Sequence, residues 1–200
     1  MVMTPLFVLI HDRLMPKARI DASGVEAPVD ARGTALLIGF GRFGQIVTQP
    51  LLARGYSVTT IDNDPEMIRV AGQFGFKVYY GDGTRLDVLR ASGAGTAEAV
   101  LVCVDKQEAA DKIVELVKSE FPHAKLFVRA FDRGHALRLI NAGVEYQLRE
   151  TLESAIVFGR QVLLNLGVDE AEADELVLDV RRRDEQRLEM QIAGGLRAGL

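Results

Sequence analysis

The chain has 200 residues, 48% of them hydrophobic, which is enough for one buried core; the stretch after residue 33 matches one α/β domain and leaves no room for a separate substrate domain. A net charge of -4 with scattered basic residues argues against nucleic-acid binding. Cys103 is the one cysteine, which excludes an internal disulfide and fits a reducing compartment. Residues 1–10 are apolar apart from Thr4, and His11, Asp12, Arg13, Lys17 and Arg19 follow. Such a run is too short for a membrane crossing, which takes roughly 20 residues, and no basic region precedes it as in a secretory signal. Residues 1–13 therefore read as the end of a membrane helix with cations on its cytoplasmic flank, or as an apolar leader. Residues 14–33, rich in Gly, Ala, Asp and Pro from Asp21 onward, read as a linker.

The domain proper is expected over 34–148. Its first strand, 34–38, runs into Gly39, Gly41 and Gly44, spaced as G-x-G-x-x-G, and a helix is expected over 43–54. Gly39 permits the tight turn, Gly41 lets a pyrophosphate approach the backbone, and Gly44 lets the helix sit close to the sheet. The amides opening that helix suit a phosphate, and Arg42 adds a cation beside Phe43. A second strand, 57–61, ends at Asp62, 18 residues beyond Gly44, where a carboxylate accepts hydrogen bonds from ribose hydroxyls. A 2′-phosphate would face Asp62 and Asp64, so NAD(H), AMP or another nucleotide lacking that phosphate is expected.

Helix 65–73, strand 76–80, helix 85–92, strand 99–104, helix 107–119, strand 125–130 and helix 134–141 follow. The strand runs, such as Val100 to Val104, lack polar alternation, as in a parallel sheet covered on both faces. The expected fold is a doubly wound α/β sheet of Rossmann type, strand order 3-2-1-4-5, with its ligand at the carboxyl ends where the order reverses. Asp62 with Asn63, Asp82 with Thr84, and Asp105 stand at such ends. For the aspartates the competing role is capping the next helix. Arg129 ends strand five.

Beyond strand five, a helix over 151–166 carries Leu152, Ala155, Ile156, Val162, Leu163 and Leu166 as one stripe. Val157, Phe158 and Leu164 add apolar surface on other sides, so a homodimer through this helix is expected. From 169 to 192, acids precede Arg181, Arg182, Arg183 and Arg187, the order that suits a helix dipole. A frayed tail is expected over 193–200. Cys103 sits among valines and leucines, which reads as a small buried residue. The three histidines, His11, His123 and His135, assemble neither a catalytic set nor a metal set.

Gly39 to Gln45, Ile61 to Pro65, Val78 to Arg85, Phe121 to His123 and Ala142 to Glu145, in that order, resemble the cytoplasmic nucleotide-binding domain of Kef-type glutathione-regulated potassium efflux systems. The resemblance spans about 34–192. It implies a non-enzymatic regulatory domain of the regulator-of-potassium-conductance class. Such a domain dimerises, is attached to a membrane antiporter on the cytoplasmic side, and gates potassium efflux by binding AMP or NAD(H) and glutathione or its adducts. Carried over, the glycine loop with Gly39, Gly41, Phe43 and Gly44, together with Asp62 and Asp82, becomes the set of nucleotide contacts, to which the strand-end reading adds Asn63, Thr84 and Asp105. Arg42 serves phosphate or peptide, and Arg129, Arg133 and Arg138 become glutathione partners, because guanidinium groups pair with carboxylates. Residues 183–185 depart from the family pattern. The competing readings are a domain serving another potassium uptake system or channel, and a small NAD-dependent oxidoreductase.

Overall fold

The computed structural model describes residues 24–194. The expected leader, the first part of the linker and residues 195–200 lie outside the described residues.

In chain order the elements are β1 (Ala35–Ile38), α1 (Arg42–Arg54), β2 (Val58–Asp62), α2 (Pro65–Gln73), β3 (Tyr79–Tyr80), α3 (Leu86–Ala91) and β4 (Ala99–Val102). Then come α4 (Gln107–Glu120), β5 (Lys125–Ala130), α5 (Arg133–Asn141), β6 (Tyr146–Arg149), α6 (Glu150–Asn165) and α7 (Glu170–Gly194). The sheet has six strands in the order β3-β2-β1-β4-β5-β6, every pairing parallel. The order reverses between β1 and β4, which opens a crevice at their carboxyl ends.

Strand periodicity divides the core into two layers. Leu36 and Ile38 of β1 face the layer holding Leu89, Ile113, Val114, Val117 and Leu139 from α3, α4 and α5. Ala35 and Leu37 face the layer holding Ile68 and Ala71 of α2, against which Phe43, Val47 and Leu51 of α1 pack. Successive side chains point to opposite faces, so a strand buried on both faces must be apolar throughout. Leu36 and Leu37 are both 0% exposed, and each such side chain contributes about 2 kcal/mol of burial.

Local chemistry sets the helix starts. Asp64 accepts from the amides of Glu66 and Met67 and caps α2, with Pro65 at its first position. Asp132 accepts from the His135 amide at 2.7 Å and caps α5. At Gly39 φ is +95°, and a Cβ on Gly44 would overlap the Gly39 carbonyl oxygen, so turn and helix approach both require glycine.

Several expectations shift. The third strand shrinks to Tyr79–Tyr80, because β2 and β3 pair only over Ile61–Tyr79 and Asp62–Tyr80. On the described part of the expected linker, the Tyr80 amide donates to the Glu26 carbonyl at 2.6 Å and the Ala31 amide to the Ala91 carbonyl at 3.0 Å. That segment is fastened to the domain edge. Strand four stops at Val102, although the Cys103 amide still donates to Ile38 at 2.8 Å. A sixth strand, β6, extends the sheet beyond the expected five and runs directly into α6. Helix α7 continues through Gly194, two residues past its expected end.

Candidate functional site

The glycine loop leads from β1 into α1 with Gly41 as N-cap, a residue with no side chain to satisfy the first amides of the helix. A Cβ built on Gly41 meets nothing within 4 Å, so the space before those amides is open. Opposite, Asp62 closes β2. Its Oδ2 accepts from the Phe40 amide at 2.6 Å and its Oδ1 from the Asp64 amide at 2.8 Å. One carboxylate thereby ties the glycine loop to the end of β2, and each oxygen retains acceptor capacity for a hydroxyl.

Asp82 does not cap α3. Its Oδ1 accepts from the Thr84 amide at 2.9 Å and the Thr84 hydroxyl at 2.7 Å, and the N-cap residue Arg85 makes no side-chain cap. Asp82 therefore braces the loop after β3. Asp105 does not cap α4 either; it pairs with Arg129.

Gly39, Gly41, Asp62, Asn63, Asp82, Thr84 and Asp105 line a single cleft of about 260 Å³. Gly44 supports it from behind by its contact with Gly39. Arg42 is exposed and is absent from the cleft wall. Phe43 is also off the wall, and the Arg129 guanidinium lies 5.3 Å from its ring centroid. Sequence reasoning missed Met67, Lys106, Ala109 and Ile113 on the wall. Lys106 is the N-cap residue of α4, and Met67, Ala109 and Ile113 lie within the first two turns of α2 and α4, so the strand ends already identified were the available signal. Cys103 is buried, and burial pushes its thiol up to about 12, against a smaller lowering by the Arg129 charge.

A second cavity, about 470 Å³, lies beside the first and shares Val104 and Asp105 with it. Arg129, Phe131, Arg133, Arg149 and Glu150 contribute to its wall. Arg129 pairs with both Asp105 and Glu150, the latter at 2.6 Å. Arg133 and Arg149 both pair with Asp184 of α7. Burial lowers the Arg133 pKa, while Asp184 opposes the shift. The expected peptide partners thus separate. Arg129 and Arg133 reach this cavity, whereas Arg138 does not and faces Asp111 at 3.6 Å. Five residues past Arg133 on one helix is a rotation of about 140°, which turns Arg138 to another side.

His135 is wholly buried at the start of α5. Its Nδ1 accepts from the Phe131 amide at 3.0 Å, and its Nε2 lies 3.0 Å from Asp111 Oδ1 without forming a hydrogen bond. Burial lowers its pKa below 6.5, with Arg138 adding to the shift and Asp111 and Asp132 opposing it. Among the described residues, no group of His, Cys, Asp and Glu is placed to hold a metal ion, and no helix is long and apolar enough to cross a membrane.

A parallel doubly wound sheet, a glycine turn at the strand-order reversal and an acid closing β2 define a Rossmann-type domain. The TrkA-N domain family matches residues 35–149. A glutathione-regulated potassium-efflux system protein of Haemophilus influenzae is 40% identical over 98% of this chain and 32% of its own length. The potassium-efflux protein KefC of Salmonella paratyphi B is 38% identical over 98% of this chain and 31% of its own. The chain spans about a third of the length of these curated relatives. The Kef C-terminal domain of Shewanella denitrificans, solved in an AMP-bound form, superposes with a TM-score of 0.72 at 34% identity, over 80% of this chain and 97% of that one. The chain belongs to the TrkA-N domain family, among the C-terminal domains of Kef potassium-efflux proteins.

Proposed function

We propose that this chain is the regulatory domain of a Kef-type potassium efflux protein, holding AMP or NAD(H) in the first cleft and glutathione or its adducts in the second cavity. The observation that carries the nucleotide reading is the Asp62 carboxylate, fixed by the Phe40 and Asp64 amides across the cleft from the uncapped start of α1. One end of the cleft suits a ribose diol and the other a phosphate. Asp64 beside Asp62 disfavours a 2′-phosphate. The AMP-bound relative supports the same assignment. Arg129 and Arg133 supply cations for an anionic peptide in the adjoining cavity.

Gating needs no chemistry from the domain, only ligands that bind two domain arrangements with different affinity. A homodimer supplies those arrangements. Val157 and Phe158 of α6 are 64% and 73% exposed, adjacent apolar side chains suited to a second copy. The shared wall at Asp105, bonded to Arg129, gives the two ligands a common contact. In this reading the domain sits at the cytoplasmic face of the membrane, joined to the antiporter part of the protein.

Calorimetry tests the proposal. AMP and NADH bind the wild-type chain and NADPH binds at least about 10-fold more weakly, a difference of about 1.4 kcal/mol. Asp62→Ala loses AMP binding by about 100-fold, since it removes both the ribose acceptor and the loop tie. A folded wild-type chain that binds no adenine nucleotide at millimolar concentration overturns the nucleotide reading. Turnover of a carbonyl substrate with NADH overturns the non-enzymatic one.

A further inference from the structure

The wall of the nucleotide cleft carries Asp62, Asp64, Asp82 and Asp105 and, as its one cation among the described residues, Lys106. The acids have partners inside the protein: Asp62 and Asp82 accept from the loops they brace, Asp64 caps α2, and Asp105 pairs with Arg129. Lys106 differs. Among the described residues its ammonium makes no ion pair and no hydrogen bond, and its side chain does not cap α4. Because Asp105 is held by Arg129, the adjacent carboxylate leaves the Lys106 charge available to the cleft.

Helical phase aims this residue. Lys106, Ala109 and Ile113 are spaced i, i+3 and i+7, so one face of α4 and its N-cap forms that wall. Ile113 is buried, Ala109 half-buried and Lys106 exposed, which makes the wall apolar at depth and cationic at the mouth. In the sheet β1 lies between β2 and β4, so the glycine loop separates Asp62, at the end of β2, from Lys106, just beyond β4. A nucleotide whose ribose meets Asp62 and whose first phosphate meets the open amides of α1 continues toward β4. Its second phosphate arrives on the side of Lys106, and AMP ends one phosphate short. That second phosphate brings further negative charge among four carboxylates, a repulsion that a cation must offset. Arg42 is off the wall, and Arg129 is engaged by Asp105 and Glu150 in the adjoining cavity.

We propose that Lys106 makes the cleft selective for adenosine carrying a 5′-diphosphate, terminal as in ADP or internal as in NADH, over AMP. Its ammonium donates to the second phosphate. A point charge on a flexible stem follows a phosphate without the fixed geometry of a guanidinium fork, and no internal ion pair has to break first. The inference rests on the reading of this cleft as a nucleotide site and narrows the choice between AMP and NAD(H) left open there.

Calorimetry on the full chain with AMP, ADP and NADH tests it. Wild type binds ADP about 10-fold more tightly than AMP. Lys106→Ala brings the two within about 2-fold of each other, whereas Lys106→Arg, which keeps the charge, keeps the preference. A loss of ADP affinity alone assigns Lys106 to a terminal phosphate, and an equal loss for NADH assigns it to a pyrophosphate linkage; both uphold the selection. AMP binding as tight as ADP in wild type, or an ADP preference that survives Lys106→Ala, overturns the proposal and leaves the nucleotide reading standing. A folded wild type that binds none of the three overturns both.

Discussion

The sheet with its nucleotide cleft and the C-terminal pair α6–α7 are held by different forces. In the first, Leu36, Leu37, Ile61, Val100 and Val102 are sealed between two helical layers, and the cleft's polar groups are tied by backbone hydrogen bonds. In the second, Ile156 is the buried residue of α6, and ion pairs cross to α7: Arg160 to Glu170 at 2.8 Å and to Asp174 at 2.5 Å, and Arg181 to Glu153 at 2.6 Å. Apolar interdigitation fixes one arrangement, because each displaced methylene costs its full burial. Exposed ion pairs fix little and exchange partners readily. The molecule joins a rigid ligand platform to a helical pair suited to more than one position.

Breaking the platform gives the largest effect. Gly44→Ala places a methyl group against the Gly39 carbonyl oxygen, a backbone atom that moves only if α1 or the β1 turn moves. Destabilisation of about 3 kcal/mol or more is expected in urea unfolding, with loss of AMP binding. A variant within about 0.5 kcal/mol of wild type would show that α1 is free to shift, and the contrast between the two regions would fail.

The same division explains what was legible in the sequence. Strands β1 and β4 announce themselves because a doubly covered strand is continuously apolar, and the glycine spacing with Asp62 marks the reversal point. Strand β6 does not, since Tyr146, Gln147, Leu148 and Arg149 alternate on a half-covered edge and pass into α6 without an intervening turn. Missing β6 meant missing Arg149, and its partner Asp184 lies 35 residues away, where no periodic pattern links them. Asp82 read as a ligand-loop residue with helix capping as the competing role. Only the position of the Thr84 hydroxyl distinguishes the brace. Arg138 looked equivalent to Arg133 by composition, and helical phase separates them.

The next prediction sharpens the comparison from the other side. Phe158→Asp adds a charge to a residue 73% exposed in the single chain, so the platform's own unfolding changes by less than about 0.5 kcal/mol. Light scattering is expected to shift from dimer to monomer, because the new carboxylates would be desolvated against an apolar partner face. An unchanged dimer would move the interface away from α6. A monomer that also loses several kcal/mol would instead mean that Phe158 belongs to the platform's core.

His135 gives the smallest effect and tests the boundary itself, for it is a buried titratable group where the platform meets the second cavity. Protonation would place charge on an imidazole that is wholly buried and whose Nδ1 must stay unprotonated to accept the Phe131 amide. Arg138 opposes that charge, while Asp111 and Asp132 favour it without reversing the effect of burial. The native pKa is lowered, so the unfolded chain binds the proton more tightly. Stability from this group is complete above pH 6.5 and is lost as pH falls from 6.5 through the lowered native value. The slope in that window is at most about 1.4 kcal/mol per pH unit for one proton. In urea unfolding at pH 7.5 and 5.5, wild type loses stability on acidification and His135→Gln, whose amide oxygen still accepts the Phe131 amide, loses less. Equal losses would mean that Asp111 neutralises the imidazolium after all. The platform would then tolerate a buried ion pair at its margin, as the α7 contacts do.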